Sequence, residues 1–488
     1  MNSAFLIIIP IFLIIMITFS WRQCIKISLY AVVLEGAVRQ WLLPLIGSIT
    51  GHGLEWQHQY DGIVYLSPFF FLCAAYIKYF WVRSGNFWFF KSRKGRVLFL
   101  FSAILAAIAF AEAFNPLLPS LWVGLSGAGY YWFFVPLIYL TGDLFDDIDD
   151  FFFFLRTFLY LFAIIGILGI VQYFSPPNHW LNVYGRPSFT AMAGRHVRIT
   201  GTLTHAMAYS GYLEFVTAIL LPALFARQST TRRFELIGIS LLFALNIFMA
   251  GSREPIFFLI LFVLLYLGIG RPVMIMRAIH RAFVPLVVIL ILLGSWILYS
   301  PNNPVHNFWS SRVTNTRSNT HSRLLLGDYI KELNQCLPYM NVFGYGAGSV
   351  HSAHYRLRMG EKSVSIGPVK MTDVGDPPYL ELTVVLFELG LPGFIAWLGF
   401  KLFIIGALWA TYRQLLLSPL KHLALSAMIY VLIIWVNSVM YLTIRSFPHW
   451  FFAGFIFLLP RLEYAYTKKC VAKIDEKNLL SPYSLNMD

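Results

Sequence analysis

Long uninterrupted apolar runs constrain this chain more than any other feature of its sequence. The run at 152–173 holds one charged residue, Arg156, and about 20 apolar residues suffice to cross a bilayer as a helix. Only 12% of the 488 residues are charged, against roughly 25% in an ordinary soluble domain. Too little polar surface is left to cover a globule in water. The sequence therefore predicts an all-α polytopic membrane protein.

Twelve or thirteen spans are expected from the apolar runs. They lie at 4–20, 25–46, 62–82, 97–114, 120–141, 152–173, 206–226, 235–250, 254–270, 283–300, 383–411, 422–443 and 449–466. We expect transmembrane helices with short loops over 1–300, one large polar loop over 301–378, further helices over 379–466 and a tail over 467–488. Within the large loop, apolar residues at three- and four-residue spacing predict a helix over 321–337.

Basic residues recur in alternate connections and predict the orientation of the spans. These connections carry Arg22 and Lys26, Lys91 and Arg93, Arg232 and Arg233, Arg271 and Arg277, Arg413 and Lys421, and Lys468 and Lys469. Because cytoplasmic loops collect Lys and Arg, this side is predicted to be the cytoplasm. The acidic stretch from Asp143 to Asp150 falls on the same side. The connections that then face outward are 47–61, 115–116, 174–205, 251–253, 301–378 and 445–449.

Several arginines stand in the outward connections, where topology does not account for them. They are Arg186, Arg195, Arg198, Arg253 and Arg323. A guanidinium binds phosphate oxygens through paired hydrogen bonds and stays charged, so converging arginines would clamp a pyrophosphate. Each arginine alone could equally extend toward lipid headgroups. The remaining basic loops explain the net charge of +14, so we expect the bilayer, and no nucleic acid, as a partner.

Carboxylates at the end of the large loop are candidates for a general base. The segment Asp376-Pro-Pro-Tyr379-Leu-Glu381 leads into a span, where a buried carboxylate is costly and reactive. Asp376 could equally cap the following helix, with Pro377 at its first position. Glu388, further along, is interpreted as structural.

Two more motifs allow both a structural and a functional interpretation. The segment Phe343-Gly-Tyr-Gly-Ala-Gly348 is either a sharp structural turn or a loop that lines a substrate. Glu35 and Arg39 are four residues apart in the second span and can pair on one helix face. That pair is either a self-neutralising structural element or part of a polar site.

The order of these motifs resembles that of a known family. Along roughly 100–460 stand Arg198-x-x-Gly201, Gly251-Ser-Arg253, Arg323, Phe343-Gly-Tyr-Gly346 and Glu388-x-Gly390-x-x-Gly393. In this order and layout the chain resembles the bacterial O-antigen ligase and polymerase superfamily. The early Glu35-Gly-x-x-Arg39-Gln-Trp-Leu-Leu-Pro44 resembles a signature of its exopolysaccharide-associated branch. One departure is clear: the His-Asn pair of the ligases is absent, and the place of its histidine falls near Tyr379.

The resemblance implies a GT-C-like fold and a metal-independent glycosyltransferase without a cofactor, in the bacterial inner membrane with its large loop periplasmic. The donor would be an undecaprenyl-pyrophosphate-linked oligosaccharide. Arg198, Arg253 and Arg323 would hold the leaving pyrophosphate, with Arg186, Arg195 and Tyr379 nearby, and Glu381 or Asp376 would be the base. Since the ligase histidine is missing, a polysaccharide polymerase is favoured, with other polysaccharide-assembly proteins as possible partners.

Three alternatives remain open. The first is an O-antigen ligase that uses lipid A core as acceptor, with a base elsewhere among His321, His351 and His354. The second is a flippase or transporter, which should bury charges at mid-span, whereas the arginines noted above stand at outer ends. The third is a non-catalytic scaffold for polysaccharide assembly.

Overall fold

The computed structural model describes residues 3–50, 54–83, 88–118, 120–182, 192–193, 196–203, 206–225, 230–251, 253–270, 340–349, 365–366, 369–370, 381–437 and 446–480. The span predicted at 283–300 and the helix predicted at 321–337 lie outside these ranges. The same holds for five predicted site residues, Arg186, Arg195, Arg323, Asp376 and Tyr379.

The described chain is almost entirely helical. Its α-helices are α1 (Ser3–Thr18), α2 (Trp21–Ala37), α3 (Leu43–Ile49), α4 (Leu54–Arg83), α5 (Arg93–Glu112), α6 (Leu121–Trp132), α7 (Val135–Gly142), α8 (Ile148–Phe174), α9 (Ala206–Phe225), α10 (Thr230–Met249), α11 (Arg253–Gly270), α12 (Met340–Phe343), α13 (Glu381–Gln414), α14 (Ser418–Asn437), α15 (Ser446–Ala453) and α16 (Phe455–Leu480). A π-helix, Val38–Leu42, joins α2 to α3, and a 3-10 turn, Trp88–Lys91, precedes α5. The described strands form two antiparallel two-residue ladders, Met192–Ala193 with His196–Val197 and Ser365–Ile366 with Val369–Lys370.

Within the described residues, six helical segments are long and apolar enough to cross a membrane. They are Trp21–Ile49, Arg93–Glu112, Leu121–Gly142, Ile148–Phe174, Val384–Gln414 and Ser418–Trp435. Shorter apolar helices lie at Ile9–Thr18, Leu66–Val82, Ala208–Leu224 and Pro255–Gly270. The all-α prediction is confirmed, and these helices fit a multi-pass membrane protein. The prediction of twelve or thirteen spans extends beyond the described residues, and within them breaks such as Gly454, between α15 and α16, shorten the helices.

The helices are apolar on their outer as well as their inner surfaces, as expected for a bundle surrounded by lipid. In α8, Phe158 and Phe162 are buried, while Phe153 and Phe174 on the outside are 69% and 75% exposed. The inner rings continue into α9, where Phe215 lies 5.5 Å from Phe158 between ring centroids. A soluble monomer seldom exposes so much contiguous apolar surface.

One end of the bundle, the acidic end, is defined by Asp143, Asp146, Asp147 and Asp150. Their cationic partners come from distant parts of the chain: Arg22 with Asp146, Lys26 with Asp150 (2.9 Å), Arg461 with Asp143 (2.6 Å) and Lys469 with Asp147 (3.6 Å). The starts of α2 and α8 and the middle of α16 therefore meet at this end. The acidic stretch, which the charge rule left unexplained, compensates the basic residues predicted on the same side.

The opposite end, the glycine end, is defined by six glycines with positive φ. They are Gly201, Gly251, Gly344, Gly346, Gly348 and Gly390, and they are the positive-φ glycines of the described residues. The helix α8 runs from Asp147 at the acidic end to Gln172 beside Gly201. Parts of three predicted outward connections, at 115–116, 200–203 and 251, lie at the glycine end.

The ion pairs of the acidic end differ in burial, and this difference predicts unequal effects of substitution. The carboxylate of Asp143 is 3% exposed and accepts hydrogen bonds from Arg461 and from the Tyr79 hydroxyl (3.0 Å). Arg461→Gln leaves a buried charge undercompensated, so we expect a loss of about 2 kcal/mol in the free energy of unfolding. Lys469→Gln removes an exposed pair and should cost about 0.5 kcal/mol or less. Unfolding in detergent micelles measures both; equal losses would contradict the prediction.

The ionised carboxyl group of Asp146 makes the free energy of unfolding depend on pH in the acid range. Its hydrogen bond from Arg22, aided by the charges of Arg22, Arg461 and Lys26, holds the pKa of this carboxyl below its usual value of 3.8. A carboxyl group whose pKa is lowered by folding stabilises the folded protein at any pH above its usual pKa. This contribution is lost as the pH falls through the pKa of the folded state. Asp146→Asn should therefore lower the unfolding midpoint slightly at pH 7, and the difference from wild type should shrink once pH falls below 3.8 and vanish below the folded pKa. A difference that persists in acid would show that charge is not its cause.

Candidate functional site

The segment from Arg198 to Leu203, which we call the Arg198 turn, is an irregular, mostly buried stretch that leads into α9. Ile199 and Leu203 are fully buried, and Thr200 and Thr202 are nearly so. Gly201 has φ +58°, and a Cβ there would lie 2.6 Å from Ile165. Only glycine fits this conformation and this space. The turn is thus built into the bundle.

Gln172, near the end of α8, holds the backbone of this turn. Its Oε1 accepts hydrogen bonds from the backbone N–H groups of Thr200 (3.2 Å) and Gly201 (2.9 Å). Its Nε2 donates to the carbonyl oxygens of Gly201 and Leu181, both at 3.0 Å. Irregular backbone at membrane depth must have its polar groups satisfied by protein. One fully buried amide side chain does this for the Arg198 turn.

The side chain of Arg198 reaches the second arginine motif. Its Nε donates to the carbonyl oxygen of Ala250 at 3.0 Å. Gly251 follows with φ +61°, and Arg253 is the first residue of α11. The predicted motifs Arg198-x-x-Gly201 and Gly251-Ser-Arg253, about fifty residues apart in sequence, are therefore neighbours. A helix N-terminus presents unpaired N–H groups that favour an anion.

The second span lies against the other side of the Arg198 turn. Thr202 Oγ1 donates to the carbonyl oxygen of Val33 (2.7 Å), and Gln40 Nε2 donates to that of Leu203 (3.3 Å). Between them, Gly36 packs so closely on the backbone of Thr202 that any Cβ would overlap its carbonyl oxygen. The early motif and the Arg198 turn therefore form one continuous contact.

Glu35 and Arg39 form an ion pair within the second span, next to this contact, as their four-residue spacing predicts. Arg39 Nη1 lies 3.5 Å from Glu35 Oε1. The Glu35 side chain is 1% exposed and that of Arg39 18% exposed. Arg39 and Gln40 belong to the π-helix Val38–Leu42, a wide turn that often marks functional positions.

The glycine-rich segment Phe343–Gly348 forms a second cluster, the glycine lock, with Gly390. Tyr345 N–H donates to the carbonyl oxygen of Phe387 (2.7 Å), and Ala347 N–H donates to that of Glu112 (3.2 Å). Gly390 has φ +65° and ψ −170° and breaks α13. Residues from Gly344 to Gly348 are buried. The structural interpretation of this turn is therefore the one that the packing favours.

Glu388 serves the glycine lock as well. It is 1% exposed, and its Oε2 accepts a hydrogen bond from the Tyr131 hydroxyl at 2.7 Å. Its backbone carbonyl lies beside Gly344, where a Cβ would approach to 2.7 Å. The expectation that Glu388 is structural agrees with these contacts. Glu381, the predicted base, is the first residue of α13.

The sequence interpretation overlooked a buried cation in the middle of α13. Lys401 is fully buried, about 15 Å along the helix from Leu391, which is half of a hydrocarbon core of about 30 Å. Its Nζ lies 3.1 Å from His449 Nε2 and over the rings of Trp397 (4.5 Å) and Trp450 (4.8 Å). The signal was present, because Lys401 is the one basic residue of the run at 383–411. The comparison of charge positions in the sequence considered the arginines at the outer ends and left this lysine out.

Comparisons with known proteins give no further assignment. No family model matches the chain, and no curated protein matches it in sequence. The functional interpretation consequently depends on the residues of the glycine end and on the resemblance of its motifs.

The glycine lock predicts that two glycines of the same helix differ sharply in tolerance. Alanine at Gly390 would meet the Val342 oxygen at 2.5 Å in a backbone conformation that side chains disfavour. We expect Gly390→Ala to lower the free energy of unfolding by roughly 2 kcal/mol or more. At Gly406 a Cβ meets nothing within 4 Å, so Gly406→Ala should be neutral or gain up to about 1 kcal/mol. Thermal unfolding of the two variants tests this, and similar midpoints would refute the lock.

Proposed function

We propose that the protein is a glycosyltransferase of the bacterial inner membrane that polymerises a polysaccharide on the periplasmic face. It transfers the growing glycan from undecaprenyl pyrophosphate to a hydroxyl of a second lipid-linked repeat unit. The observation that carries the proposal is the junction of the Arg198 turn with the start of α11. At that junction Arg198 contacts Ala250, which directly precedes the motif Gly251-Ser-Arg253 at the N-terminus of α11. In this proposal the glycine end is periplasmic and the fold is GT-C-like.

Anion binding at this junction follows from ordinary electrostatics. Arg198 Nε donates to the carbonyl oxygen of Ala250, and the position of Arg198 is fixed because Gln172 holds the turn. A guanidinium presents five N–H donors in a planar fork whose geometry matches two oxygens of a phosphate. Preorganised donors at the site of developing charge are the largest contribution to many enzymic rate accelerations.

The reaction is a single displacement. The acceptor hydroxyl oxygen attacks the anomeric carbon, and a new C–O bond forms as the bond from that carbon to the pyrophosphate oxygen breaks. The departing pyrophosphate keeps the electron pair, and Arg198, Arg253 and Arg323 would stabilise its added charge. The hydroxyl proton passes to a general base, for which Glu381 and Asp376 are the candidates. The products are the extended lipid-linked glycan and undecaprenyl pyrophosphate.

A crevice among α9, α10 and α11 suits the lipid part of such a donor. It has a volume of about 80 Å³ and is lined mainly by apolar side chains, among them Leu220, Leu221, Phe243, Ile247 and Leu259. Ile247 precedes Ala250 by three residues, and the rest of the lining lies further from the Arg198 contact, in the apolar part of the bundle. A prenyl chain would enter this crevice from the bilayer, so van der Waals packing against the apolar lining is the interaction that would hold it there.

A second candidate, a transporter for the same lipid-linked saccharide, is favoured by one observation. Lys401 is buried near mid-span beside His449. Ionisable residues within spans often mark ion or substrate pathways. Lys401→Met separates the two candidates, because a transporter should lose flux while a polymerase with its site at the glycine end should retain elongation.

Arg198→Gln tests the polymerase directly. Purified protein in proteoliposomes, supplied with an undecaprenyl-pyrophosphate-linked oligosaccharide, should lengthen the lipid-linked glycan. We expect Arg198→Gln to lower this rate by about 100- to 1000-fold, because one donor to the developing charge is lost. Arg156→Gln is the matched control, since Arg156 pairs with Tyr160 on the outside of α8.

Three outcomes would speak against the proposal. Wild-type protein that moves the saccharide across the bilayer without lengthening it would favour the transporter. Transfer to lipid A core in place of a second repeat unit would favour the ligase. Equal rates for the Arg198 and Arg156 variants would remove the Arg198 turn from the mechanism.

A further inference from the structure

The second span contacts the Arg198 turn, which together with the start of α11 forms the proposed anion site. Arg39 lies about 27 Å beyond Trp21 along the helix, given a rise of about 1.5 Å per residue. Trp21 is at the acidic end, next to Arg22, so Arg39 is at the glycine end. The hydrogen bond from Gln40 to Leu203 and the contact of Gly36 with Thr202 bring this part of the chain onto the Arg198 turn.

Stability alone is a weak reason for an ion pair at this place. Glu35 is removed from water almost completely, and the cost of burying a pair commonly cancels its attraction. What the pair does supply is position: the carboxylate restrains a guanidinium that would otherwise be free to turn toward lipid headgroups. The contact joins one nitrogen of Arg39 to Glu35 at 3.5 Å, and 18% of the side chain remains exposed.

The π-helix Val38–Leu42 holds Arg39 in the part of the second span that contacts the Arg198 turn. A helix with the extra residue of a π-turn shifts the side chains that follow it around the axis. Here the shifted residues include Arg39 and Gln40, and Gln40 is turned onto the carbonyl oxygen of Leu203. Arg39 is its direct neighbour, on the same widened turn.

We propose that Arg39 is a further phosphate-binding residue of the anion site, and that Glu35 is its positioning residue. The inference rests on the proposed function and extends it: the site takes a pyrophosphate, whose two phosphate groups can meet cations from the Arg198 turn and from the second span. Two separate sources of guanidinium groups suit a diphosphate better than a single phosphate. Discrimination between pyrophosphate and monophosphate lipids is therefore the property that Arg39 controls.

The test uses full-length protein in nanodiscs and three probes: undecaprenyl pyrophosphate, undecaprenyl monophosphate and phosphatidylglycerol. We expect wild type to bind the pyrophosphate lipid most tightly. Arg39→Gln should weaken pyrophosphate binding by about 10- to 100-fold, the loss of a hydrogen bond between charged groups, and monophosphate binding much less. Glu35→Gln should reduce the same preference by a smaller factor, and Arg156→Gln should leave it unchanged.

The preference ratio separates binding from a merely structural role. A structural pair would lower the unliganded unfolding midpoint and leave the ratio of pyrophosphate to monophosphate affinity as in wild type; that result overturns the inference. If Arg39→Gln does not fold, Arg39→Lys keeps the charge without the guanidinium fork and should still lose part of the preference. Wild type that binds pyrophosphate lipid no better than phosphatidylglycerol would contradict the proposed function itself. Preference retained in both Arg39 variants would contradict the Arg39 inference alone.

Discussion

The structure depends on one constraint: backbone that leaves the helical ladder inside an apolar bundle must find its hydrogen bonds within the protein. The Arg198 turn meets this constraint through Gln172, which engages two N–H groups and two carbonyl oxygens at once. The break at Gly390 meets it through the glycine lock, where Tyr345 bonds to Phe387. Each irregular segment is thus rigid because the alternative, an unsatisfied polar group among apolar side chains, costs several kcal/mol.

This constraint also explains why irregular structure gathers at one end. Every positive-φ glycine of the described residues lies at the glycine end, whereas the acidic end is held by ion pairs between side chains. Ion pairs between side chains tolerate variation in backbone geometry. A turn packed directly against helices does not, because its backbone contacts at Gly36 and Gly201 leave no space even for a Cβ. The glycine end can therefore hold arginines in fixed positions, which a site for a diphosphate needs and a surface patch does not supply.

The sequence predicts the parts of this arrangement that have local signatures. Apolar runs predict the helices, and the four-residue spacing predicts the contact of Glu35 with Arg39. The contact between the second span and the Arg198 turn has no such signature, because Gln40 and Thr202 bond to backbone carbonyl oxygens that any residue would supply. The π-helix likewise has no local sequence signature that would have predicted it. A lone glutamine in the apolar run at 152–173 could have indicated Gln172, since a buried amide in a span requires partners.

Lys401 shows how a buried charge can belong to the scaffold of such a site. Trp397, whose indole faces its ammonium, packs edge-to-face on Tyr131 at 5.8 Å, and the Tyr131 hydroxyl bonds to Glu388 in the glycine lock. Lys401 also joins α13 to α15 through His449, so the deep part of the bundle and the lock are connected by one series of contacts. Attraction to two indole faces offsets part of the cost of removing the ammonium from water. A cation so enclosed by aromatic rings and a neighbouring imidazole is suited to fixing the helices around it, which is a structural alternative to the transport role considered for Lys401.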